Sequence, residues 1–458
     1  MMQITAPLAA FCCGLSADHI PQAVTARTRL LLVDLIGNIV RARAEAAVTP
    51  SLHAMVQTMG WHAGESHVFG DSARYGPAGA AFLNAALGHA LDFDDTHAAA
   101  TLHPGACVIP AAIAAGEMTG ASGADVLAGI VAGYEVTCRI ALALPAGAHY
   151  ARGFHPTATC GVFGAAAAAA RVLRLSAAQF ESALGIALSQ SGGSLQFLTD
   201  GAWTKPFQVG WASMAGLSAA ILAGHGFRGA SEALEGRHGF LQAYAPAPVP
   251  ERVVLGLGEI YELMSTGVKP YPSCRYGHAG IDATIALRAE HAFKWEEVQK
   301  ITYGLSTAGM LLVGAPAETK QNPTNIVSAQ FSAPFVLSTA LATGAMTWDS
   351  YQNLDDPVIR HLLPRVQCVH DAEIEAEFPA NMSGKITIHA RGREFVKTVI
   401  VPLGEPSNFL SKDALLAKYQ SLAKPSLGAQ AQVLARAALE FDALDRIADL
   451  TQLSMCRT

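Results

Sequence analysis

The sequence predicts a mainly α protein. A large helical region gives way to an α+β stretch, and the chain then turns helical again. Three observations carry this prediction. Apolar residues recur at three- and four-residue spacing from about 22 to 240. Short alternating segments appear only after a proline-rich crossing at Pro246, Pro248 and Pro250. Helical spacing resumes over 411–450. At 458 residues the chain is too long for one ordinary compact domain and suggests two or three.

In order along the chain, "AVTARTRLLLVDLIGNIVRARAEA" reads as an amphipathic helix. "ADVLAGIVAGYEVTCRIALAL" (124–144) and "CGVFGAAAAAARVLRL" are apolar on most faces and read as buried helices. Their Ala and Gly residues allow close approach between helices. Pro and Gly punctuate this region about every twenty residues, as a large all-helical domain requires. Strands are expected at 298–307, 384–390 and 394–402, with Arg391-Gly392-Arg393 turning the last two into a hairpin. Helices are expected between them, at about 276–292 and 327–343. Periodicity alone leaves open whether the 411–450 helices stand apart or return to the first helical region.

Composition excludes several classes of function. Hydrophobic residues make up 51% of the chain and charged residues 15%, enough apolar surface for a large core and a subunit interface. The net charge is −6 and no Lys/Arg stripe occurs, so no nucleic-acid partner is expected. No apolar run reaches the ~18 residues of a membrane span without a charge or breaker, so no membrane partner is expected either. The nearest candidate, 124–144, contains Asp125, Glu135 and Arg139. The N-terminus lacks the basic start of a signal peptide. The eight cysteines form no CxxC pair, which fits free thiols in a reducing cytoplasm.

Ionisable chemistry is concentrated in "LGHALDFDDTHAAATLHPG" (87–105). A helix should end near Asp92, leaving Asp92, Asp94 and Asp95 at its C-terminus, where the helix dipole disfavours anions. Such a conflict marks functional sites more often than other places. Three readings stand at this level: a solvated acidic loop, a metal site using the aspartates with His97 and His103, and an acid–base site pairing histidine with carboxylate. The spacing matches neither an EF-hand nor HExxH.

His103, His155, Lys205, Lys269 and Lys424 each stand immediately before a proline. A residue before proline is pushed out of the helical region, and proline is favoured as the first helical residue. A helical pattern follows the first three, which places His103, His155 and Lys205 at helix N-termini. Free backbone N–H groups and the positive dipole end lie there too, an arrangement for anions. Combined with the acidic stretch, this suits a substrate with several carboxylates. Removing a proton beside a carboxylate builds negative charge that Lys and helix-end amides stabilise, while a histidine carries the proton.

Four stretches carry a family resemblance: "ALDFDDTH…LHPGACVIPAAIAAGE", "GFHPTATCGVFGAAAAAARVL", "TKPFQVGWASMAGLSAAILAGHGFRGASEALEGRHGF" and "KPYPSCRYGH". In this order they resemble the MmgE/PrpD family, which includes 2-methylcitrate dehydratases, cis-aconitate decarboxylases and iminodisuccinate epimerases. The resemblance runs from about 5 to 440. It implies a discontinuous all-helical domain, 1–265 with 405–458, and an inserted α+β lid domain, 266–404, with the site between them. It also implies a homodimer that works without a metal or organic cofactor.

Matched by motif, the implied catalytic residues are Asp92, Thr96, His103, His155 and Lys205. His103 is the expected proton carrier. Lys205 and His155 would hold carboxylates, Asp92 would orient His103 or bind a substrate hydroxyl, and Thr96 would donate a hydrogen bond. Lys269, Tyr271, Cys274 and His278 are expected to bind substrate from the lid side. The activity implied is that of a lyase or isomerase moving a proton at a carbon beside a carboxylate of a small di- or tricarboxylate. Dehydration of the 2-methylcitrate type is placed first, with decarboxylation of the cis-aconitate type or epimerisation of the iminodisuccinate type as alternatives. A metal-dependent helical enzyme and a non-catalytic scaffold are the readings from other classes.

The chain departs from parts of the family. Animal decarboxylases carry histidine where Cys274 stands, and their spacing between the equivalents of Thr96 and His103 differs by about one residue. Dedicated 2-methylcitrate dehydratases lack "HAAATLHPG".

Overall fold

A computed structural model describes residues 2–455. Two compact units emerge: one runs to Gly267 and resumes at Ser411, and the other is Val268–Leu410. The chain is mainly α-helical, with short strands in the first unit and a small sheet in the second.

The first unit is built on helices α1 (Gln22–Glu45), α2 (Pro77–Ala90), α3 (Pro104–Thr119), α4 (Gly123–Leu142), α5 (Pro156–Val172) and α6 (Thr204–Gly224). Helix α5 is buried over nearly its whole length and packs against α3, α4 and α6. Small residues make this possible: a side chain at Gly164 of α5 would collide with the Thr137 hydroxyl and the Gly133 carbonyl of α4. Strands β1 (Thr96–His97) and β2 (Thr266–Gly267) pair antiparallel, Thr96 opposite Gly267, and pin the segment after the acidic motif.

The second unit holds helix α7 (His278–His291) and strand β3 (Val298–Leu305), then helix α8 (Ala333–Thr343), followed by strands β4 (Val366–His370), β5 (Gly384–Ala390) and β6 (Arg393–Val399). The sheet order is β4-β3-β5-β6, with β4 parallel to β3 and the other pairs antiparallel. Alternate β5 residues are buried, and Ile386 and Ile388 join the core with Ile301 and Tyr303 of β3. The hairpin forms as its sequence predicts. Strand β4 is a structural finding that the sequence did not announce: "VQCVH" is only half-buried and alternates weakly. The helix expected over 327–343 is two pieces, Ile326–Gln330 and Ala333–Thr343, because Ser332 caps the second by accepting from the Phe335 amide.

Helix α9 (Lys412–Leu427) rejoins the first unit and packs on α1. The approach is close: a side chain at Gly37 would meet the Tyr419 ring at 3.2 Å. A buried ion pair, Lys418 Nζ to Asp34 Oδ1 at 2.7 Å, joins the two helices. Lys424-Pro425 lies inside α9 and starts no helix.

Helix α6 is long and apolar enough to cross a membrane by length and composition, contrary to the reading that no run qualifies. Most of it is buried among the other helices. The cysteines among the described residues are all free thiols.

Candidate active site

Helix α2 is almost wholly buried and ends at Ala90, two residues before Asp92. Asp92 then adopts φ 53°, the left-handed conformation that usually takes glycine after a helix. Aspartate tolerates this region better than most residues, yet holding it there costs on the order of 1 kcal/mol. The turn sends three carboxylates in three directions. None of them forms a solvated loop: Asp92, Asp94 and Asp95 are all buried.

Asp95 faces the start of α3. Its Oδ1 accepts from the Gly105 amide at 3.1 Å and its Oδ2 from the Tyr134 hydroxyl at 2.5 Å. It thereby caps a helix whose own N-cap residue, His103, makes no side-chain cap. Burial raises the Asp95 pKa most. The Tyr134 hydrogen bond opposes this and the Asp94 charge adds to it, leaving the group pushed up to about 8.

Asp94 lies between two histidines. Its Oδ2 is 2.7 Å from His89 Nδ1, and its Oδ1 is 3.3 Å from His103 Nδ1. Burial alone would raise the carboxyl, but the two imidazoles outweigh it and hold Asp94 well below the usual range. Asp94 is therefore an ionised acceptor: His89 Nδ1 hydrogen-bonds to it, and His103 Nδ1 stands against its other oxygen as an ion-pair contact. That leaves His103 Nε2 as the ring atom able to exchange a proton. It points toward Asp92 Oδ1 at 4.0 Å, and the His103 side chain is 16% exposed.

Asp92 Oδ1 also accepts from Lys205 Nζ at 2.6 Å. Burial works to lower the Lys205 ammonium, but the Asp92 charge and hydrogen bond more than offset it, and the pKa is raised. Lys205 remains a cation with two further N–H donors. It sits in the first turn of α6, one residue inside the helix and not ahead of it, because Thr204 already begins the helix.

His155 is the N-cap residue of α5, as His103 is of α3. The two starts are joined: the His103 amide donates to Thr157 Oγ1 at 3.1 Å. The His155 ring stacks near His89, centroids 6.0 Å apart, and its Nδ1 lies 3.0 Å from Gln208 Oε1. Burial above all, with the Lys205 ammonium nearby, holds His155 well below the ordinary histidine pKa, so it is neutral near pH 7.

The structure thus gathers Asp92, His103, His155 and Lys205 into one run of contacts and adds His89 and Asp94 at its buried end. Thr96 is buried on β1. Lys269, Tyr271, Cys274 and His278 belong to the second unit and are held within it. Lys269 is buried there. The Tyr271 hydroxyl donates to Asp282 Oδ1 at 2.5 Å, the Cys274 amide to the Gln330 carbonyl at 2.9 Å, and His278 Nε2 lies 3.2 Å from the Ser273 carbonyl.

His97, a metal ligand in one reading of the sequence, is instead 3.2 Å from Glu262 Oε2 and accepts the Ala100 amide at Nδ1. Potential ligand atoms of His89, Asp94 and His103 do lie within 4.8 Å of one another. Both Nδ1 atoms, however, face separate oxygens of the one carboxylate, which is the geometry of shared protons. Sequence reasoning missed His89. Its only signal is a histidine in the last turn of an otherwise apolar helix, three residues before Asp92.

Acid–base groups thus cluster beside a lysine and two helix starts. The chain belongs to the MmgE/PrpD family: the family's N-terminal domain matches residues 6–252 and its C-terminal domain 271–442. Two fungal relatives are a cis-aconitate decarboxylase-like protein of Aspergillus oryzae, 29% identical over 92% of this chain and 90% of its own, and a cis-aconitate decarboxylase of Aspergillus terreus, 28% identical over 98% and 95%. The human cis-aconitate decarboxylase is 28% identical over 80% of this chain and 76% of its own. Family and relatives together support a lyase.

Proposed function

We propose that the protein decarboxylates a cis-aconitate-like unsaturated tricarboxylate. The observation that carries this reading is the run Asp94–His103–Asp92–Lys205, which sets a proton carrier beside a cation. The decarboxylases among its relatives favour this reaction over the dehydration placed first from sequence. The two would use the same residues, with the proton moving in opposite senses.

The chemistry follows from electron balance. The C–C bond to one carboxylate on the saturated arm breaks, and CO₂ leaves. The bonding pair forms a new double bond, and the pair of the old double bond moves to the carbon beside a retained carboxylate. That carbon takes a proton. Two carboxylates near His103, Asp94 at 3.3 Å and Asp92 at 4.0 Å, favour its protonated form and fit it to donate from Nε2. The Lys205 ammonium and the N-terminal amides of α3 and α5 would stabilise the charge that develops on the retained carboxylate. Neutral His155, whose Nδ1 donates to Gln208 Oε1, would present Nε2 only as an acceptor and shape the pocket without adding a charge.

The test is proton NMR of cis-aconitate with the purified protein in D₂O and EDTA. CO₂ release with one deuterium beside a retained carboxylate is expected. Water loss from 2-methylcitrate with no CO₂ from cis-aconitate would return the assignment to dehydration. Activity that disappears with EDTA and returns with one divalent cation would make the site metal-dependent.

A further inference from the structure

Resting on the proton-transfer reading above, we propose that His89 is a positioning residue that acts on His103 through their shared carboxylate, Asp94. His89 is 1% exposed and lies against Asp94, His103 and His155. Its Nδ1 is 2.7 Å from Asp94 Oδ2, its ring meets His103 edge-on at 4.7 Å, and its face lies near His155. Its Nε2 is buried and has no hydrogen-bond partner among the described residues. A proton at Nε2 would be a buried, unsatisfied donor, so the geometry favours the ring proton at Nδ1, aimed at Asp94.

This hydrogen bond does two things. It fixes the rotation of the Asp94 carboxylate, so that the other oxygen meets His103 Nδ1 and holds His103 with Nε2 outward. It also draws on Asp94's charge, which limits how strongly the carboxylate stabilises an imidazolium at His103. A carboxylate with a single histidine would rotate more freely and would raise the basicity of that histidine further.

The groups facing His103 set the sign of any pH effect. Asp92 and Asp94 come from the acidic turn, His89 from α2, His155 from α5 and Lys205 from α6. Removing the His89 donor leaves Asp94 more available to His103. The titration of His103 then moves to higher pH, and the pH at which the proton carrier loses its proton rises with it.

The first measurement is on the unliganded wild-type protein, by ring-¹⁵N histidine NMR. It should show His89 as the Nδ1–H tautomer, and a His89 that protonates only at Nε2 would end the proposal before any variant is made. His89→Leu removes the donor, and His89→Asn retains an N–H near the Nδ1 position. In His89→Leu, kcat should fall on the order of tenfold with KM little changed. This is less than the hundredfold or more that follows loss of a general acid itself. The His103 titration should move up in pH, and His89→Asn should recover most of both effects. A packing role alone would leave the His103 titration unmoved and make the two variants equally poor, which overturns the proposal. Should His89→Leu not fold, the wild-type tautomer and His89→Asn decide. If the wild type turns over no polycarboxylate but the tautomer and titration shift are found, the functional reading fails and the coupling of His89 to His103 stands.

Discussion

Substituting Lys418 by methionine should strike both the stability of the first unit and the geometry of its site. In the wild type, Lys418 Nζ lies 2.7 Å from Asp34 Oδ1, donates to the Phe93 carbonyl at 2.8 Å and sits 3.7 Å from the Phe93 ring centroid. The Lys418 and Asp34 side chains are 5% and 1% exposed. With the ammonium gone, the side-chain donor left to Asp34 among the described residues is the Asn38 amide at 3.5 Å. Breaking a buried pair from one side costs about 3–5 kcal/mol, because a charge is left without compensation. The sign of the pH dependence follows. Burial already raises the Asp34 pKa, with Lys418 working to lower it. Removing Lys418 raises it further above the unfolded value. A raised carboxyl favours folding most below its unfolded pKa and loses that contribution as pH rises through the folded pKa. The penalty in Lys418→Met should therefore approach the full value near about pH 8 and shrink near about pH 5.5. Urea unfolding followed by circular dichroism at both pH values reads this out, and Asp34→Asn on the Lys418→Met background should recover at least half of the loss. A cost below about 1 kcal/mol at the higher pH, or one equal at both, would refute the reasoning.

Other expectations concern the site itself. His103→Gln should cut turnover about 10²–10⁴-fold with an unchanged far-ultraviolet spectrum; near-normal turnover would remove His103 as proton carrier. Lys205→Met should weaken substrate binding and turnover together, measured as kcat/KM, and an unchanged kcat/KM would mean that Lys205 serves only Asp92. Asp95→Asn should flatten the dependence of melting temperature on pH. The wild-type group is pushed up to about 8, so its contribution to stability declines as pH rises from its unfolded value to that point, and an amide has no proton to lose. A wild-type-like slope in Asp95→Asn would show that Asp95 does not titrate there.

Much of the helical architecture was legible because burial leaves a periodic trace. The Ala- and Gly-rich segments that became α4 and α5 are apolar on most faces, and the structure buries them on most faces. Strand β4 left little trace, since its half-buried residues owe their conformation to pairing with β3, more than sixty residues earlier. In the site, the residue-before-proline pattern located His103 and His155 at helix starts, because proline's fixed φ acts locally. It put Lys205 two positions off, since Thr204 and Lys205 both join the helix ahead of Pro206. The pairing of Asp94 with His89 and His103 was not legible. It depends on the left-handed turn at Asp92, which swings the following carboxylate back beneath the end of α2.

That turn also resolves the apparent conflict of three acids at a helix C-terminus. The dipole penalty is real, but each carboxylate is met by a different set of donors. Asp92 meets the Lys205 ammonium, Asp94 two imidazoles, and Asp95 the amide end of α3 with the Tyr134 hydroxyl. The three acids are thereby made chemically unlike. Asp94 is an ionised, buried orienter. Asp95 carries its proton near neutrality. Asp92 lies beside both Lys205 and Nε2 of His103, and under the proposed reaction it is the one that would feel an incoming substrate. In that proposed reaction, a substrate carboxylate that took Lys205 from Asp92 would let the Asp92 charge attract the imidazolium of His103. Binding would then hold the proton on His103 until charge developing on the substrate carbon drew it away. Uniform acidity along "DFDD" could not do this. The sequence places the carboxylates one after another, and the fold separates them by function through one strained residue and the ends of three helices.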